Sequence, residues 1–424
     1  MKPKFFFAAA ALLIFFKTSA FATEPTAKQL ELMFGIEEEL RSPLILTTYL
    51  TSRTALTTAP ITLGNPHLMP FGLIGGYLGA HAATGVSIDF TIKKFAKNII
   101  KLCAEHPELN CIEGDEHKIM FLDQSGNTVG WLKPKFDLAV IEVVGSPIKI
   151  ADLDSHMGKA LQLTLFDATK KTGLYPAKTG GEGHLHIDFN SLFQKGTPEK
   201  PNWDYRLFRN YAVDWANHNE LYYGALHYDP IDLAAKPLLR SEQTRNAFLK
   251  WLEEFDGELK NGSIDDQKFM KYIHRLGNEC GFRKGFALNV IPKIETGPKA
   301  IDLNLHMPKT IEVRSLKPKK TFGHLGSTMK LLQGRAEYLR SLDGLLPYHQ
   351  PAAIQNAQEG VDRFFRYVKE SNLDYDEIKK LLPETWQKKT PRTLSDAELF
   401  KPGSLKPNAK FRCMTWMNAH LFGK

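Results

Sequence analysis

The chain has 424 residues, of which 43% are hydrophobic and 24% charged, enough to bury a large core in one domain with a smaller appendage, or in two domains. The formal charge of +8 falls to +5 without the first 22 residues, which carry three lysines and no acids. That excess is too thin for a polyanion-binding surface, and no RNP, finger or homeodomain pattern occurs, so no nucleic-acid partner is expected. Aromatic-rich stretches such as NELYYGALHY argue against disorder.

Residues 1–22 read as a secretory signal peptide. Lys2 and Lys4 form a positive start, Phe5 to Phe16 an apolar run cut off by Lys17, and Ala20-Phe21-Ala22 a small-residue cleavage pattern. The run is too short for a comfortable membrane span. The expected location is therefore exported, either periplasmic or secreted or delivered to another cell, with no stable membrane span after cleavage. Four cysteines, Cys103, Cys111, Cys280 and Cys413, fit export loosely. Cys103 and Cys111 are close enough to close a small loop, and four buried free thiols are an equal alternative.

Residues 32–40 read as a strand, with Phe34, Ile36 and Leu40 on one face and Glu37 and Glu39 on the other. The glycine- and proline-rich segment 64–85 reads as an extended loop and matches no phosphate-loop pattern. Residues 89–105 have Phe90, Ile92, Phe95, Ile99 and Leu102 at helical spacing, with Asp89 placed to cap the start. HKIMFLD and TVGWLKP, joined by Gln124-Ser125-Gly126-Asn127, read as a hairpin, and DLAVIEVVGSP as a strand interrupted by Glu142. A helix follows over 150–171, stopped by Gly173 and Pro176.

In the strand at 181–190, Glu182, His184, His186 and Asp188 alternate with Gly183, Leu185, Ile187 and Phe189, giving one ionisable face. Helices fill 203–225 and 240–276. GFALNVIP and KTIEVRSL read as strands, the latter carrying Glu312 and Arg314, and a helix lies near 324–342. From Leu346 onward the chain reads as a polar, helical appendage.

Three separated segments thus each place two ionisable or metal-competent side chains two residues apart in an apolar frame: Glu37 and Glu39, His184 and His186, Glu312 and Arg314. Residues i and i+2 of a strand share a face, so neighbouring strands would converge these groups on one surface. Any one pair is more simply a solvated face, two satisfied imidazoles or a cross-strand ion pair. Their joint occurrence, with Glu142 as a costly carboxylate in a β-branched run, points to a cation. Acids outnumber histidines, which suits Mg²⁺ or Mn²⁺ better than Zn²⁺. An arginine beside a metal carboxylate is well placed to grip phosphate.

FGIEEEL, VIEVVGSPI, GGEGHLHIDFN, ALNV and TIEVRS occur in the order seen in amidoligases of the carboxylate–amine ligase superfamily, which includes glutamine synthetase and glutamate–cysteine ligase. The resemblance covers roughly residues 32–340 and rests on these five motifs. It implies an α+β fold: a curved, mostly antiparallel sheet with helices packed on its outer face, spanning 23–345 with a helical insert at about 203–276, followed by a helical C-terminal segment, 346–424. It implies ATP and Mg²⁺ or Mn²⁺ as cofactors, and a small-molecule, peptide or protein substrate carrying a carboxylate and an amine. Carried over, Glu37, His184 and Glu312 hold one metal, and Glu39 with Glu142 a second. Arg314 binds the transferring phosphoryl group, His186 lies close to phosphate or substrate, and Asn289 lines the substrate side. Apart from the resemblance, Lys317, with Lys319 and Lys320 just after Arg314, is within reach of a nucleotide, a solvated basic turn being the simpler reading. Where similar sequences show a D-G-S-type turn, this chain has Lys133-Pro134-Lys135-Phe136-Asp137. Two other readings stand beside the ligase: a metal-dependent hydrolase in the exported compartment, and a non-catalytic binding module on a ligase-derived fold.

Overall fold

The computed structural model describes residues 31–42, 69–106, 108–137, 140–176, 183–195, 202–218, 241–283, 307–314, 321–349 and 356–393, with short stretches or single positions at 45, 48, 51–52, 221, 235–236, 238–239, 285–286, 288–290, 354 and 395. The segment expected to be a signal peptide lies outside them, as do Glu182, Lys317 and Cys413.

Alternation of apolar and polar residues sets the centre of the fold. In β1 (Phe34–Arg41), Phe34, Ile36 and Leu40 are buried on one face while Glu37 and Glu39 point to the other. Around it pair β5 (Val140–Gly145) on one side and β7 (His184–Asp188) on the other, both antiparallel. Beyond β5 follow β4 (Thr128–Asp137), β3 (Ile119–Leu122) and β2 (Asn110–Glu113), and beyond β7 follow β11 (Thr310–Val313) and β10 (Leu288–Asn289). Short β6 (Tyr175–Pro176) also pairs with the end of β1, giving nine described strands in one open antiparallel sheet. With the helices below, this is a mixed α+β fold.

The hairpin turn forms as the sequence suggests: Gly126 adopts φ 80°, and the Asp123 carboxylate accepts from the backbone N–H groups of Ser125 and Asn127 at 2.9 Å. GFALNVIP, expected as one strand, is split. Gly285–Phe286 (β9) runs parallel to Ala235–Lys236 (β8) in a separate two-stranded sheet, whereas Leu288–Asn289 joins the main one.

Apolar side chains from the other face of the sheet, including Ile36, Ile141, Val143, Leu185, Ile187 and Ile311, share a single core with the helices. Helix α1 runs from Met69 to Ala104, so the loop expected over 64–85 is helical from Met69. Glycine raises the cost of a helix without forbidding it, and the one proline inside the element, Pro70, sits in its first turn, where a missing N–H breaks no helical bond. Two consequences correct the sequence reading. Asp89 lies within the helix, bonded to Lys93 at 2.6 Å, and caps nothing. Phe90 is 61% exposed, because the buried stripe is Ile88, Ile92, Phe95, Ile99 and Cys103. Cys103 is bonded to Cys111 in β2, tying the end of α1 to the sheet edge.

Residues 150–172 form the expected helical stretch from a 3₁₀ turn, α2 (His156–Gln162), a π-helical turn and a last α-turn, ended by left-handed Gly173. Helices α3 (Tyr205–Asn217), α4 (Glu242–Lys260) and α5 (Asp266–Asn278) enclose an aromatic cluster in which Phe208, Trp251, Phe255 and Phe269 are all buried. Each begins with an Asp or Ser cap that accepts from the first turn: Asp204, Ser241 and Asp265. Helices α6 (Phe322–Ser341) and α7 (Ala357–Glu370) join α3 through Arg335, which bonds Asp214 and Glu370. Val361, Phe364 and Tyr367 of α7 belong to the same core as the sheet. Among the described residues no helix is long and apolar enough to cross a membrane.

Candidate metal centre

Strand register brings the separated pairs together. Glu37 lies directly across from His184 and Gly35 across from His186 on the β1–β7 ladder, Glu312 lies across from His186 on β7–β11, and Glu39 across from Glu142 on β1–β5. All are therefore on the sheet face opposite the apolar core. At Gly35 an added Cβ would lie 3.3 Å from the His186 Cβ, tighter than ordinary contact, so glycine leaves the imidazole room to sit over β1.

The contacts are close. His186 Nε2 is 2.8 Å from Glu37 Oε2, and its Nδ1 is 3.2 Å from the Thr310 hydroxyl. His184 Nδ1 lies 3.7 Å from Glu37 Oε2 and 3.3 Å from Glu312 Oε1. Arg314 donates from Nη1 to Glu312 Oε1. Lys135 Nζ approaches Glu142 Oε1 to 3.8 Å from β4. Burial works to raise the Glu37 carboxyl, but the neighbouring imidazoles of His184 and His186, with a hydrogen bond to Glu142, outweigh it and hold Glu37 well below the usual carboxylate range.

Three observations fit a cation at this place. Ligand atoms of Glu37, His186 and Glu312 all lie within 4.8 Å of one another, a spread that small rearrangements close around one ion with bonds of about 2.1 Å. The buried His184 Nδ1 makes no aligned hydrogen bond, although two carboxylates border it. Glu39 and Glu142 lie directly across from each other on adjacent strands, and two like charges so placed are relieved by a proton or a positive ion. Two oxygens and one imidazole nitrogen form a donor set that Mg²⁺ or Mn²⁺ accepts, with His184 at hand as a further nitrogen.

The sequence-derived residues fall as follows. Glu37 and Glu312 are in the tightest group, but the imidazole that completes it is His186; His184, assigned to the metal by resemblance, borders the same carboxylates. Glu39, 9% exposed, and Glu142 face each other, and Glu142 connects to Glu37. Arg314 is buried beside Glu312. The backbone of Asn289 pairs opposite Glu312 on β10–β11, and its side chain lies outside the described set, as does all of Lys317. Asp188, counted among the ionisable groups of its strand, caps the short helix Phe189–Phe193 by accepting from Ser191 N at 2.6 Å. Two residues were missed. Thr310 sits on the site face by the same period-two rule that finds Glu312 and Arg314, and Lys135 by the rule applied to β4. No family model matches this chain, and no curated protein is detectably similar to it.

Proposed function

We propose that the chain is a divalent-metal- and ATP-dependent carboxylate–amine ligase, acting on an amino acid, peptide or protein carboxylate. The observation that carries this reading is the grouping of Glu37, His186 and Glu312 with Arg314 bonded to Glu312 on one sheet face. Phosphoryl transfer asks little covalent chemistry of a protein and much charge neutralisation around in-line oxygens, which a cation held by this donor set, with Arg314, would supply. Mg²⁺ or Mn²⁺ would offset phosphate charge when held by Glu37, Glu312 and His186. Arg314, bonded to Glu312, would bring a planar guanidinium, a group suited to phosphate oxygens, beside that ion. Glu39 and Glu142 would hold a second cation, and Lys135 opposite Glu142 tempers their repulsion. With a secretory leader, such a ligase requires delivery to an ATP-containing compartment, which in this reading is the cytosol of another cell.

The test is thermal unfolding of the protein from Thr23 onward with and without ATP and Mg²⁺ or Mn²⁺. Saturation at a hundredfold over Kd stabilises by about 2.7 kcal/mol. A shift that needs both nucleotide and metal, and that Glu312→Gln abolishes, supports the ligase. Stoichiometric zinc with no nucleotide response would replace it with the hydrolase, a reading that the two adjacent imidazoles favour. Neither signal would leave the binding module.

A further inference from the structure

We infer that Thr310 is the positioning residue of the metal-binding imidazole: its hydroxyl, the partner of His186 Nδ1 among the described residues, can serve the ring both with and without a bound ion. The inference rests on the metal reading of Glu37, His186 and Glu312. His186 makes two ring contacts, Nε2 to Glu37 Oε2 at 2.8 Å and Nδ1 to Thr310 Oγ1 at 3.2 Å. A carboxylate only accepts, so the first contact requires the proton on Nε2. A neutral ring then carries its lone pair on Nδ1, and the Thr310 hydroxyl donates to it.

Ligation reverses this arrangement. For Nε2 to face an ion jointly with Glu37 and Glu312 it must present its lone pair, so the ring proton must sit on Nδ1. The Nε2 proton leaves to solvent while Nδ1 takes one from solvent, and no net proton is lost by the neutral ring. Thr310 Oγ1 then accepts from Nδ1–H by rotating its own hydrogen away. A hydroxyl has one hydrogen to give and two lone pairs to receive, so it satisfies either tautomer without moving the strand. A backbone carbonyl or a carboxylate there would hold only the ligating form. The register explains the reach: Thr310 is two residues from Glu312 on β11, on the same face, and Glu312 is directly across from His186. One four-residue strand therefore supplies both a ligand and the partner that orients the neighbouring ligand.

The experiment compares wild type, Thr310→Val and Thr310→Ser in the mature chain. Mn²⁺ affinity is measured by calorimetry, and the His186 tautomer is read from ¹⁵N chemical shifts with and without Mg²⁺, with circular dichroism confirming that each variant is folded. Thr310→Val removes the hydroxyl at nearly constant volume and is expected to weaken Mn²⁺ binding roughly 10- to 100-fold, the usual effect of losing an outer-shell partner. Thr310→Ser is expected to restore wild-type affinity, which a purely packing role for the threonine methyl would not allow. In wild type the proton should be on Nε2 without metal and on Nδ1 with it. Equal affinity for wild type and a folded Thr310→Val, or a metal-loaded ring that keeps its proton on Nε2, would overturn the inference while leaving the metal site standing. Absence of Mn²⁺ binding in wild type would refute the metal site itself, and this inference with it.

Discussion

Arg335→Met should be among the most destabilising single substitutions in the helical half of the protein. The guanidinium is 2% exposed as a residue and bonds both oxygens of Asp214, at 3.0 and 3.1 Å from Nε, and Glu370 at 3.0 Å from Nη1. It also lies over the rings of Tyr338 and Tyr367, at 4.4 and 4.1 Å. Methionine fills most of the volume but leaves Asp214, 0% exposed, with His218 and the Tyr367 hydroxyl as its side-chain partners among the described residues, each 3.4 Å away. Breaking a buried pair on one side costs about 3–5 kcal/mol, a large share of the roughly 5–15 kcal/mol that holds a domain together. The companion variant Asp214→Leu with Arg335→Met removes both charges and should recover most of the loss, because the dominant cost is a stranded buried charge. Urea unfolding of wild type, both single variants and the double variant measures this as a cycle. A single-variant loss below about 1 kcal/mol, or a double variant no more stable than the singles, would refute the reasoning.

Acid should act through Glu370 in the same network. Burial pushes its carboxyl up, but the Arg335 charge and hydrogen bonds from Arg366 and Arg335 outweigh burial and lower it. Its stabilisation is thus complete above the ordinary carboxylate value of about 4.3 and is lost as pH falls through the lowered value. Glu370→Gln should therefore be less stable than wild type at neutral pH, with the gap closing in acid; a constant gap in denaturant midpoints would contradict this. Opening the Cys103–Cys111 bridge closes a loop eight positions long no longer, and Cys111→Ser should lose roughly 2.5 kcal/mol by loop entropy. Unchanged unfolding after full reduction would count against it. Burial pushes the Cys280 thiol up to about 12. In a Cys413→Ser background, native protein at pH 8 should then show no reaction with a thiol reagent until denatured, and prompt labelling would show the site to be open.

Much of the site was legible because strands have a short, rigid period. Glu37 with Glu39, His184 with His186, and Glu312 with Arg314 are each two apart, and that spacing alone predicts a shared face. Which imidazole groups with which carboxylate was not legible, since it depends on a diagonal reach across β1 and β7 that glycine at position 35 permits. Thr310 obeyed the same rule and was overlooked because a threonine in a strand signals β-propensity first. Helix α1 was hidden by its glycines, whose penalty is a weak local preference that the long element overrides. The Asp214–Arg335 pair spans 121 positions, and only an acid inside the apolar run YAVDWA hinted that a buried cation must meet it. Glu38, 5% exposed on the core side of β1, likewise breaks the pattern of its own strand.

The most direct test of the proposed metal centre is anomalous X-ray scattering from crystals of the protein grown with Mn²⁺. A single strong manganese peak bonded to Glu37, His186 and Glu312, lost in Glu37→Gln, is the expected result. A peak held by other residues, or none at manganese concentrations that saturate comparable sites, would contradict the account.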